Sequence, residues 1–220
     1  MDRATCREFQ TRRLCRSAVA VLAASTLAAC ATSSTSDKPP PVRIEIQEAV
    51  GFTITEASHI SSDNRAEYDE AQRHLVRGDL ERGIELLEII VERAPNLSAP
   101  RIDLGIAEHR AGNLEAAERH LQAVLEVNPD HPIALNELGI VYRKTGRFTL
   151  ARQSYEGALA IYPGYHFARR NLAVLCDLYL ADLECALRNY EAYLATVPGD
   201  EEAAIWIADI RYRLGRPEGS

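Results

Sequence analysis

Residues 132–165 read PIALNELGIVYRKTGRFTLARQSYEGALAIYPGY, and this stretch decides the fold. Leu138, Gly139, Tyr142, Gly146, Ala151, Tyr155, Ala158, Leu159 and Pro163 stand at its positions 7, 8, 11, 15, 20, 24, 27, 28 and 32. The glycine at 15 ends a first helix, where a left-handed backbone costs little without a side chain. Small residues at 8 and 20 let a second helix fold back at close range. The proline at 32 stands where that second helix must stop.

The same features return along the chain. Pro95, Pro129, Pro163 and Pro198 are separated by 34, 34 and 35 residues. Position 15 is also Gly78 and Gly112, position 8 is Ala71 and Gly105, and position 20 is Gly83 and Ala117. Asp79, Asn113 and Asp182 follow the turns as N-caps of the second helices. An unrelated bundle has no reason to repeat glycine and proline at one period. The chain resembles the tetratricopeptide repeat family over about 64 to 200. That resemblance implies an all-α superhelix of about four helix–turn–helix repeats, at 64–97, 98–131, 132–165 and 166–200, each packed only on its neighbours.

The end repeats depart from the pattern. In the first, Glu67, Glu70 and His74 replace apolar residues, and Tyr68, Ala71, Leu75 and Val76 make a rotated apolar face. At the other end, 201–214 reads as a capping helix. Ile205, Ile207, Ala208 and Ile210 are expected to cover the fourth repeat, Arg211, Arg213 and Arg216 to face water, and Trp206 to anchor the cap. The fourth repeat holds one residue too many, placed in its turn, where Leu180 stands for the expected glycine. Cys176 and Cys185 are nearly equidistant from that turn. They read either as a disulfide clasping the hairpin or as two packed thiols.

The amino-terminal residues carry a different message. Arg3, Arg7, Arg12, Arg13 and Arg16 precede an apolar run from Ala18 to Ala29, which is too short to span a bilayer as a helix. Leu27-Ala28-Ala29-Cys30 looks like a bacterial lipobox. The likeness implies a signal peptide over 1–29 and a mature chain beginning at an acylated, palmitate-bearing Cys30. With alanine rather than aspartate at 31, it implies attachment to the outer membrane, facing the periplasm. Residues 30–41 follow as a Ser/Thr- and Pro-rich tether. In 42–60, Val42–Gln47 and Phe52–Thr55 alternate apolar and polar residues as a β-hairpin with Gly51 in its turn. A lone hairpin is marginal in water, so docking on the first helices is expected.

Composition narrows the function. The formal charge is −7, and residues 1–29 hold five arginines and two acids, so the remainder carries −10. An acidic body without a basic run argues against nucleic-acid binding. The six histidines make no metal-binding spacing, and no nucleophile elbow or phosphate loop is present. No enzyme, cofactor or metal is indicated.

The family's groove positions carry over to Ala99, Ile102, Ile106, His109 and Arg110, then to Ile133, Asn136, Ile140, Arg143 and Lys144. In the fourth repeat they fall on Phe167, Arg170, Val174, Asp177 and Leu178. These pair an isoleucine stripe with a basic cluster, Arg110, Arg143, Lys144 and Arg170. One reading is a recognition surface for a peptide with an acidic end. The other is that the arginines pair with neighbouring acids and the isoleucines pack between repeats. The resemblance thus implies a lipid-anchored periplasmic adaptor that binds envelope proteins, in pilus assembly, outer-membrane assembly or a Ton/Tol-type system. The alternative is a lipoprotein that binds peptidoglycan or glycan fragments.

Overall fold

The computed structural model describes residues 43–47, 51–55 and 60–216. The signal-like segment, Cys30 and the tether lie outside the described residues. Strands β1 (Arg43–Gln47) and β2 (Gly51–Thr55) pair antiparallel, with Ile44 opposite Ile54 and Gln47 opposite Gly51. Gly51 is therefore a strand residue rather than a turn residue. The expected docking of this hairpin falls outside what is described.

Nine helices follow among the described residues. They are α1 (Ser62–Val76), α2 (Leu80–Arg93), α3 (Ser98–Ala111), α4 (Leu114–Val127), α5 (Pro132–Lys144), α6 (Phe148–Ile161), α7 (His166–Leu178), α8 (Leu183–Thr196) and α9 (Glu201–Arg213). Each packs on the next in sequence, and α3 also touches α5 while α5 touches α7. Helices α3, α5 and α7 therefore form a continuous inner layer, with the even-numbered helices outside it.

Close packing within each hairpin has a local cause. A Cβ added at Gly139 on α5 would lie 2.5 Å from a ring carbon of Tyr155, a fully buried residue of α6. No side chain fits there, and the ring takes its place. Pro95, Pro129, Pro163 and Pro198 each stand two residues beyond the last residue of an even-numbered helix.

The first three hairpins turn alike. The amide after each turn glycine donates to the carbonyl five residues back: Asp79 to His74, Asn113 to Glu108 and Arg147 to Tyr142, at 2.8–3.0 Å. Asp79 and Asp182 accept from backbone amides as N-caps. Asn113 does not; its side-chain amide donates to Glu108 at 2.7 Å instead. In the fourth turn the bond spans six residues, from Asp182 N–H to the Cys176 carbonyl, at 2.9 Å. The left-handed residue there is Ala181, at φ 53°, and not Leu180. Leu180 is the inserted residue, and its side chain packs against the core.

One large apolar cluster runs from Ile102 to Ile210, and a smaller one joins Ala71, Leu75, Leu86, Leu87, Val91, Leu104 and Ala107. Two readings of the end helices need correction. Val76 is 85% exposed, because it is the last residue of α1 and leaves the rotated face. In α9, Ile207 and Ile210 are buried with Ala203, but Ile205 and Ala208 point away from the stack. Helical periodicity cannot put 205 and 208 on the same side as 203, 207 and 210. Trp206 does anchor the cap, its ring 5.1 Å from that of Tyr190.

Candidate partner-binding groove

The inner layer presents two rows of side chains, set by their height along the odd-numbered helices. The upper row lies in the last turns, where cations also favour the helix C-terminus. It holds His109 and Arg110 of α3 and Arg143 and Lys144 of α5. Arg110 and Lys144 are exposed and make no ion pair among the described residues. The Arg143 guanidinium lies 5.7 Å from the centroid of the Tyr179 ring, contributed by the end of α7. Its Nε is buried without a hydrogen-bond partner, and no carboxylate among the described residues lies within ion-pairing distance. His109 is half-buried. Burial first, then Lys144 and Arg143, push its pKa below the ordinary imidazole value.

Arg170 stands near the start of α7, level with Asn136 rather than with Arg143, and also has an aromatic neighbour. Its guanidinium lies 5.3 Å from the centroid of the Trp206 ring, and Glu202 is 3.9 Å away. Its Nε is likewise buried without a partner. Each arginine is thus backed by an aromatic ring from the next element along the stack, a contact that contributes about 0.5–2 kcal/mol. The alternative that these arginines serve neighbouring acids fits Arg170 in part and Arg143 not at all.

A lower row was hidden in the sequence. Tyr68 and Gln72 of α1 both donate to Oδ2 of Asp103 on α3, the second at 2.5 Å. On α5, Asn136 donates to Glu137 at 2.9 Å and accepts from Asn171 of α7 at 2.9 Å. Burial raises the pKa of Asp103 against the pull of its two donors. Burial also raises that of Glu137, with the charge of Asp103 adding to it. The signal that could have found this row is position 6, which is Asp103, Glu137 and Asn171 in successive repeats. Six residues of helix separate position 6 from position 12, about 9 Å.

The structure divides the residues carried over from the groove pattern. Ile102 is 5% exposed and belongs to the core. Asn136 is 1% exposed and ties α5 to α7. Neither is available to a partner: an inner helix must also pack on its neighbours, and these positions face the seam. Ile106, Ile133, Ile140 and Val174 are half-buried against the core, with one edge open to the groove. Phe167 is 57% exposed at the start of α7 and rests on His166, ring centroids 4.1 Å apart. Cys176 and Cys185 are bonded to one another, with Cα atoms 5.8 Å apart. Asp182 lies within 4.8 Å of both sulfurs, but bonded cysteines offer no thiolate to a metal.

Residues 102–166 match the family model described as tetratricopeptide repeat. That segment carries tetratricopeptide repeats. Solved structures with the same fold include MamA 41-end of Desulfovibrio magneticus, at 22% identity and TM-score 0.62, covering 72% of this chain and 89% of that one. A thermophilic tetratricopeptide protein of Thermus thermophilus is 26% identical, at TM-score 0.59 and coverage of 69% and 82%. PilF of Pseudomonas aeruginosa is 20% identical, at TM-score 0.63 and coverage of 68% of both chains. No curated protein matches the sequence. These repeats make a scaffold for protein–protein interaction, and no described helix is long and apolar enough to cross a membrane.

Proposed function

We propose that this tetratricopeptide-repeat protein is a non-catalytic adaptor. Its inner groove takes an extended or helical segment of an envelope protein through acidic side chains. The observation that carries this reading is Arg143. Its guanidinium lies over the Tyr179 ring, its Nε is unpartnered, and Lys144 and Arg110 follow in the same row without ion-pair partners among the described residues. Such a group costs little to order when a carboxylate arrives, because the ring has already ordered it. The lower row of Asp103 and Glu137 repels a second acidic stretch about 9 Å away, which gives the groove a direction.

The lipobox-like Leu27-Ala28-Ala29-Cys30 supports a lipid anchor at Cys30 and a place on the outer membrane facing the periplasm. An envelope complex is then the natural setting, whether a pilus, outer-membrane assembly or a Ton/Tol-type system. PilF as a structural neighbour is consistent with the fold of such an adaptor.

A photo-reactive residue at Phe167, exposed at the groove, should crosslink the partner in the native envelope. Lys144→Glu with Arg110→Glu, both on exposed side chains, should then reduce the crosslinked yield at least about tenfold, roughly 1.4 kcal/mol. Radiolabelled palmitate should appear on the wild type and not on Cys30→Ser. An undiminished crosslink in the charge-reversed protein, with unchanged circular dichroism, would rule out the basic row as the binding determinant.

A further inference from the structure

The end of the helical stack carries an apolar face that no described part of the chain covers. Position 8 of each repeat is small and lies beneath the second helix of its hairpin: Ala71, Gly105, Gly139 and Ala173 are all buried. The equivalent residue of α9 is Ala208, and it is exposed. Ala204 is exposed beside it, with Ile205 at 67% and Tyr212 at 74%. Helical geometry gathers these four on one stripe, opposite the Ala203, Ile207 and Ile210 face that α9 buries on the stack. Large exposed apolar residues of the outer layer, such as Ile89, Val127 and Leu150, stand singly on separate helices. Only on α9, among the described residues, do two of them share a stripe with exposed alanines.

The stripe is self-complementary. Glu201 begins it and Arg216 follows its end. Ile205 and Tyr212 are equally far along α9 from the midpoint between Ala208 and Asp209; Arg216 lies past the left-handed Gly215, φ 70°, where the chain folds back over the last turn. An antiparallel pairing of α9 with a second copy, about a two-fold axis at that midpoint, brings Glu201 at the start of one helix to the end of the other, within reach of the long side chain of the other copy's Arg216. It sets Ile205 against the other copy's Tyr212. Ala204 and Ala208 leave the backbones free to approach, and the two helix dipoles oppose. Glu201 has no ion-pair partner among the described residues. The pair that Arg216 makes with Glu184 at 3.0 Å is exposed, so little is lost if the arginine turns to a new acid.

We infer that this protein self-associates as a two-fold dimer through the open face of α9, independently of the groove. A seam of one helix per copy is small, so the dimer is reversible. Sedimentation equilibrium of the full chain, over about 5–200 µM, should show a monomer–dimer equilibrium in the micromolar range. Ile205→Glu should raise the dissociation constant at least about tenfold with circular dichroism unchanged. Glu201→Arg alone and Arg216→Glu alone should each weaken the dimer, and the double exchange should restore it. A wild type that stays monomeric throughout would overturn the inference and leave α9 to a different protein's helix. A dimer indifferent to Ile205→Glu, or an exchange that fails to restore it, would overturn it equally.

Discussion

Gly139 and Gly112 are both glycines of this repeat, yet they are glycine for different reasons. At Gly112 the backbone is left-handed, φ 90°, with nothing within 4 Å of an added Cβ. At Gly139 the conformation is helical and the Tyr155 ring fills the space. Gly112→Ala should therefore cost about 1 kcal/mol, a backbone effect alone. Gly139→Ala should cost about 1–3 kcal/mol, because the ring must move within a packed core. Urea denaturation of the two variants checks the order.

Asp103 supplies a pH test. Its pKa is raised in the folded state, chiefly by burial, so the folded protein holds that proton more tightly than the unfolded chain. The stability it costs is absent below the unfolded carboxylate value, near pH 4, and grows as pH rises towards the folded value. Asp103→Asn keeps an oxygen for both Tyr68 and Gln72. The variant should match the wild type near pH 4 and exceed it in stability at pH 7. A difference that stays flat across this range would show that Asp103 is not desolvated.

The fourth hairpin is where one element departs from its siblings. An extra residue lengthens the turn, the left-handed position falls to Ala181, and the Cys176–Cys185 bond closes the hairpin just behind it. A covalent closure across nine residues of sequence restricts the unfolded chain. By loop entropy it contributes about 2–3 kcal/mol. Reduction, or Cys176→Ser with Cys185→Ser, should lower stability by about that amount. Hydrogen exchange should rise first in α7 and α8. Equal exchange in the reduced and oxidised protein would mean that packing alone holds the turn. The cysteine spacing was legible in the sequence. What was not legible is which residue takes the left-handed backbone, because one inserted residue can be absorbed on either side. The Leu180 side chain, half-buried against the core, decides it.

At the scale of the whole molecule, the stack is a line of repeats that each hold only their neighbours. The first repeat shares just the smaller apolar cluster with α3, and α1 buries only Ala71 and Leu75. The remaining repeats draw on one continuous core that ends at Ile210. Hydrogen exchange should therefore find α1 and α2 opening at a lower free energy than α5 to α8. Uniform protection from α1 to α9 would contradict that gradient.

The sequence alone determined the helices, their hairpins and the stack, because a 34-residue spacing of glycine, small residues and proline sets local geometry that repeats without long-range help. It also named Arg143 and Arg170 as inner-face residues. Tertiary structure decided what those residues face. Ile102 and Asn136 went to the seam between inner helices, and Tyr179 and Trp206 arrived beneath the arginines from the next element along the stack. Ile205 and Ala208 were left open at the end of the stack. Periodicity fixes which side of its own helix a residue occupies; only the placement of the neighbouring helices fixes whether that side meets protein or water.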